Sequence, residues 1–136
     1  VKFFDIELAF EFVSSAPLCS NTALVSKTTG ETYWRSDMAG EDDFPDGYEE
    51  DPDLVEIPHK NELDCGQALV WRFVERELPE EYARVRGFFS RAGAYGRFKA
   101  FLEGRGLFED WNAFESSRTE DALRAWCKDV GLDLDD

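Results

Sequence analysis

The sequence predicts an α+β protein, with a small antiparallel sheet followed by about five short helices. Two observations predict it. Short β-rich segments punctuated by turn residues cluster between residues 20 and 58, and from Asn61 onward apolar residues recur at helical spacing. A length of 136 residues is the usual size of one domain, and 43% hydrophobic residues with twelve Phe and four Trp supply a core. A single domain over residues 1–136 is therefore expected.

The first segment is ambiguous. In DIELAFEFVSS, residues 5–15, Ile6, Leu8, Phe10 and Phe12 alternate as in a strand, whereas Ile6, Ala9, Phe10 and Val13 form a helical face with Asp5 as cap. Alternation by itself favours the strand. TALVSK and TYWRSD then flank a T-G turn at Gly30, the pattern of a hairpin, and LVEIP at 54–58 reads as a third strand ended by Pro58. Between them lies GEDDFPDGYEEDPD, part of an acidic connecting loop over residues 38–53. Asn61 is placed to cap a helix bearing Leu69, Val70, Phe73 and Val74, which ends near Pro79. Tyr82, Val85 and Phe89 continue at helical spacing to Gly93; Tyr95, Phe98, Phe101 and Leu102 form the next stripe, closed by EGRG. Leu107, Trp111 and Phe114 mark another helix, and Thr119 caps a last one carrying Leu123, Trp126, Cys127 and Val130 up to Gly131.

Fifteen basic and thirty acidic side chains give a formal charge of −15, which opposes generic binding to nucleic acid or anionic lipid. No apolar run approaches the ~20 residues of a membrane span, and VKFFDIELAF lacks the pattern of a signal peptide. A cytoplasmic location is expected, although the chain opens on Val rather than Met and so leaves room for residues ahead of it. Cys19, Cys65 and Cys127 are odd in number and far apart, against a disulfide framework or a thiolate zinc site.

Three stretches together resemble a bacterial family catalogued as Uncharacterised Protein Family 0158. They are TALVSKTTGETYWRSD, the acidic run ending in VEIP, and GAYGRFKAFLEGRGLFEDWNAFESSRTEDALRAW, whose most specific part is Gly93, Tyr95, Arg97, Phe98, Lys99, Trp111 and Phe114. The resemblance covers nearly the whole chain and implies that the first segment is a helix, which turns the expectation there from strand to helix. It implies no reaction, cofactor or catalytic residue.

The acidic loop comes nearest to a named motif. Counted from Asp42, an EF-hand frame would place Asp46, Gly47, Glu50 and Asp53 correctly, but Phe44 takes a ligand position, Asp53 is shorter than the bidentate Glu, and strands flank the loop in place of helices. Ten acids and no base between Asp37 and Pro58 also suit a nucleic-acid mimic, yet two Gly and two Pro preorganise carboxylates poorly. The plainer reading is a solvated connector. Downstream, Arg84, Arg86, Arg91, Arg97, Lys99 and Arg105 face one acid, Glu103, between Tyr82 and Gly106. Arg97 and Lys99 stand about 200° apart around a helix, so they cannot share a stripe, and solvated positions are the plainer reading here too.

Catalysis has little to draw on: His59 is the single histidine, no Ser or Cys sits in a nucleophile elbow, and no phosphate loop is present. Trp111 and Trp126 fall on apolar stripes, whereas Trp34 and Trp71 are better surface candidates. The expectation is thus a non-catalytic module that binds a macromolecular partner, a protein, through some of Trp34, Trp71, Arg91, Arg97 and Lys99, with no metal or cofactor. An acidic inhibitor or nucleic-acid mimic is the second reading and an unrecognised hydrolase the third.

Overall fold

The computed structural model describes residues 1–135. Residues 3–14 form a helix, α1 (Phe3–Ser14), and strands β1 (Asn21–Ser26), β2 (Thr32–Ser36), β3 (Glu41–Asp42) and β4 (Leu54–Glu56) follow. Four helices complete the chain: α2 (Gln67–Glu77), α3 (Tyr82–Phe88), α4 (Ala94–Gly104) and α5 (Phe108–Asp129). The class is α+β, with helix at the N-terminal segment as the resemblance implied. Two compact units divide the chain, one of residues 1–63 with the chain from Asp121 onward, the other of residues 64–120.

In the first unit the sheet is antiparallel in the order β3-β2-β1-β4. The hairpin forms across Gly30, whose φ of +78° suits a residue without Cβ. LVEIP supplies the expected third strand, which joins the sheet on the far side of β1. That makes β1 central, and Ala23 to Ser26 are all buried. Register and alternation then sort the side chains: Trp34 lies opposite Ala23, on the face shared with Val25, while Tyr33 and Arg35 lie opposite Leu24 and Thr22 on the other face. α1 covers the first of these faces. Its Phe3, Ile6, Ala9, Phe10 and Val13 share one core with Ala23, Val25, Ile57, Leu123, Cys127 and Leu132, and Phe12 meets Trp34 edge-on at 4.9 Å.

The second unit is helical, and α5 belongs to it as far as Glu120. α2 starts at Gln67 rather than at Asn61, because Asp64 adopts φ +56° and residues Lys60–Leu63 form a 3-10 turn. Pro79 ends α2 as expected, and Gly93 in the left-handed region opens α4. The largest difference from the sequence reading is α5, one helix of 22 residues where two were expected. Thr119 lies inside it. Ser116, Ser117 and Thr119 are cap-type residues, but no Gly or Pro separates Leu107 from Val130, so nothing forces a break. Phe73, Phe98, Trp111 and Phe114 build the aromatic centre of this unit, with Trp111 5.4 Å from Phe73 and 5.1 Å from Phe98.

Phe98 and Trp111 are 0% and 1% exposed, so truncating either to Ala should cost roughly 3–5 kcal/mol, whereas exposed Lys99→Ala should cost under about 0.5 kcal/mol. Among the described residues no acceptor reaches the Trp111 indole N–H. Trp111→Phe keeps a ring and removes that orphaned donor, so in denaturant melts it should cost well under half of what Trp111→Ala costs.

Candidate functional site

The lone histidine is structural. His59 is 3% exposed, and its Nε2 lies 2.8 Å from the Ala16 carbonyl, which can only accept, so Nε2 carries the proton. Nδ1 accepts the backbone N–H of Asn61 at 3.1 Å. Both ring nitrogens are therefore engaged, and none remains to activate a nucleophile. Around the ring, Glu62 accepts the His59 backbone N–H at 3.1 Å, and Ser14 Oγ accepts that of Lys60 at 3.0 Å. These bonds fasten the end of α1, and the turn after it, to the segment that follows β4. Cys127 is fully buried, and burial pushes its thiol up to about 11. Burial also raises Cys65, partly offset by a hydrogen bond to Thr119. Neither thiol is poised as a thiolate nucleophile.

The acidic stretch is more than a solvated connector. Arg35 is the single base between Lys27 and Lys60, and the loop folds onto it across the sheet face opposite α1. The guanidinium pairs with Asp42 at 3.2 Å, donates to the Tyr48 hydroxyl at 3.2 Å, and stacks over the ring of Phe44 at 4.1 Å. Phe44 and Tyr48 are themselves in edge contact at 5.0 Å. Phe44, the residue that spoils an EF-hand frame, is thus a partner of Arg35. Asp43 takes the backbone N–H of Trp34 on its side chain and returns its own N–H to the Trp34 carbonyl, which closes that part of the sheet edge. Asp53 accepts from Ser26 Oγ, from the Thr28 N–H at 3.0 Å and from Thr28 Oγ1 at 2.6 Å. The bond from Ser26, then those from Thr28, hold the Asp53 carboxyl below its ordinary value. Asp42 is lowered first by the Phe44 N–H and then by Arg35. Among the described residues no three His, Cys, Asp or Glu side chains converge as metal ligands would.

Charge is divided unevenly. The unit that contains the sheet holds twenty acidic and six basic side chains, and the helical unit ten and nine, so −14 of the formal −15 belongs to the first. The basic residues of the helical unit lie mostly over its rings. Arg84 and Arg105 stack on Phe101 at 5.1 and 4.8 Å and share Glu81, Arg86 stacks on Trp71 at 4.6 Å, and Arg76 and Arg118 stack on Phe114.

Of the residues singled out in the sequence, Trp34 belongs to the sheet and is half-buried against Phe12, and the other four belong to the helical unit. Trp71 is half-buried between Tyr82 and Phe89. Arg97 turns back to donate to the Ala92 carbonyl at 2.7 Å, closing the entry to α4, while Arg91 and Lys99 are exposed. The sequence reading missed the large apolar side chains that do stand in water: Phe4 at 64%, Leu8 at 44%, Leu18 at 51% and Met38 at 87% exposure. A signal for two of them was present, since the strand-or-helix ambiguity of DIELAFEFVSS arises because the segment is apolar on both sides.

No helix among the described residues is long and apolar enough to cross a membrane. Lowered carboxyls contribute stability that is present above the ordinary aspartate value of 3.8 and lost as pH falls below it. Asp53→Asn should therefore lower the thermal midpoint at pH 7, and that cost should shrink as the pH falls below the ordinary aspartate value. Exposed Glu49→Gln with Glu50→Gln should instead raise the midpoint at low salt, a gain that shrinks near 0.15 M as the screening length falls to about 8 Å. No protein-family model, curated protein or solved structure matches the chain.

Proposed function

We propose that the chain is a non-catalytic module that binds a protein partner. The observation that carries this reading is the state of His59: the single histidine on which a Ser-His or Cys-His hydrolase would have to draw is buried, with both nitrogens hydrogen-bonded to backbone. The buried thiols point the same way. The apolar side chains left in water lie on the surface, where an interface draws its energy.

A nucleic-acid mimic receives less support, because Asp42, Asp43 and Asp53 use their carboxylates to hold the loop on the sheet and do not present them as a free row. For direct nucleic-acid binding, the helical unit is close to neutral and Arg76, Arg84, Arg86, Arg105 and Arg118 are stacked on rings, so micromolar affinity for generic duplex at physiological salt is not expected.

Affinity capture from cell extract, with crosslinking and nuclease treatment, tests the reading. A stoichiometric protein that survives the nuclease is expected. Turnover in a broad screen of ester, phosphoester and peptide substrates, abolished by a folded His59→Ala variant, would replace the reading with the hydrolase. Release of the captured protein by duplex DNA would replace it with the mimic. His59→Ala itself should lower the thermal midpoint, since it leaves the Ala16 carbonyl and the Asn61 N–H without partners.

A further inference from the structure

The sequence of α1, FFDIELAFEFVS, places large apolar residues on both sides of the helix. Phe3, Ile6, Ala9, Phe10 and Val13 fall within one sector and are buried. On the opposite side, Phe4 and Leu8 are one turn apart and share a stripe with Glu11 and Ser15. Their exposures of 64% and 44% are high for side chains of this size. Apolar residues on two opposite sides of a helix call for packing on both. The sheet, with Leu123, Cys127 and Leu132, supplies it on one side only.

The surroundings of the stripe select what covers the other. Asp5 and Glu11 are exposed beside it, α1 contains no Lys or Arg, and the unit that carries the helix has twenty acids against six bases. The cation stacked against α1, Arg124, lies over the ring of buried Phe3 and so on the covered side. We infer that the Phe4–Leu8 stripe of α1 is a docking surface for an amphipathic helix of another protein whose apolar residues are flanked by Lys or Arg. Long basic side chains can lie along Phe4 and Leu8 with their stems and reach Asp5 and Glu11 with their charged ends. A second copy of this chain fits poorly, because two such stripes would bring like carboxylates and two strongly acidic units together. An anionic lipid surface is repelled for the same reason.

This inference rests on the reading of the chain as a protein-binding module and names the kind of partner. The test uses the whole chain, with an 18-residue amphipathic Leu/Lys peptide as probe and a Leu/Glu peptide of the same pattern as control. Calorimetry should show binding of the Leu/Lys peptide alone. Phe4→Ser with Leu8→Ser leaves the charge unchanged and should weaken that binding at least about tenfold, corresponding to about 1.4 kcal/mol. Asp5→Lys with Glu11→Lys should transfer the preference to the Leu/Glu peptide. Thermal melts confirm that each variant is folded, as expected for substitutions at exposed positions. Binding of the Leu/Lys peptide that is the same with and without Phe4 and Leu8 would overturn the inference as nonspecific charge attraction. A dimer in sedimentation, or binding to zwitterionic vesicles, would also overturn it if the Phe4→Ser, Leu8→Ser variant abolishes that behaviour. Should the stripe fail while a captured protein still binds the double variant, the module reading stands and this surface falls.

Discussion

The unit that contains the sheet depends on the burial of one side of α1. Phe3, Ile6, Phe10 and Val13 leave water only while Ala23 and Val25 stay beneath them and Leu123 and Cys127 close the same core. That requirement places the helix over β1, and β1 over the centre of the sheet. It also explains the density of polar fastening where α1 ends. His59, Glu62 and Ser14 hold the backbone on the two sides of the junction, so the short connection from Ser15 to Ser20 returns to β1 in one register. Packing drives the helix down, and these hydrogen bonds determine where it lands.

The other face of the sheet is covered by charge chemistry. Eleven acids lie between Lys27 and Lys60 with Arg35 as their only basic companion. A loop so charged would stand off the sheet if nothing drew it in. Arg35 gathers it by three kinds of contact at once, a carboxylate, a phenol and an aromatic face, and the planar guanidinium, with a stacking face and a fork of donors, reaches all three together better than a compact ammonium would. Asp43 and Asp53 extend the attachment by accepting backbone and hydroxyl hydrogens, which neutral partners can supply without further cations.

How much of this was legible in the sequence varies with the range of the interaction. The hairpin, the strand LVEIP and the stripes of α2 and α4 follow from local periodicity and punctuation, and all are present. The continuity of α5 was obscured because Ser116, Ser117 and Thr119 look like a helix start, although a cap residue only permits a start and cannot impose one. The role of the acidic stretch was hidden for a different reason. Its order comes from Arg35, on a neighbouring strand, and from Ser26 and Thr28, which lie more than twenty residues from Asp53. Composition shows repulsion within the loop and is silent on such partners. His59 was read as structural or exposed, and only its two backbone partners decide which.

The helical unit shows why counting basic residues misleads in the same way. Between Tyr82 and Gly106 six bases face one acid, which in sequence resembles an anion-binding patch. In the fold, Arg84 and Arg105 lie over Phe101 and share Glu81, just N-terminal to that window, while Arg97 donates to the carbonyl of Ala92. Each of these guanidiniums uses a ring face or a hydrogen-bonding edge within its own unit, and the stacked stems shield partly buried aromatics from water. Replacing them with Lys would preserve every charge in the window and lose the planar surface that covers the rings. The cluster is therefore better understood as the outer layer of an aromatic core than as a row of free cations, and its number of charges overstates the field it presents to an approaching anion.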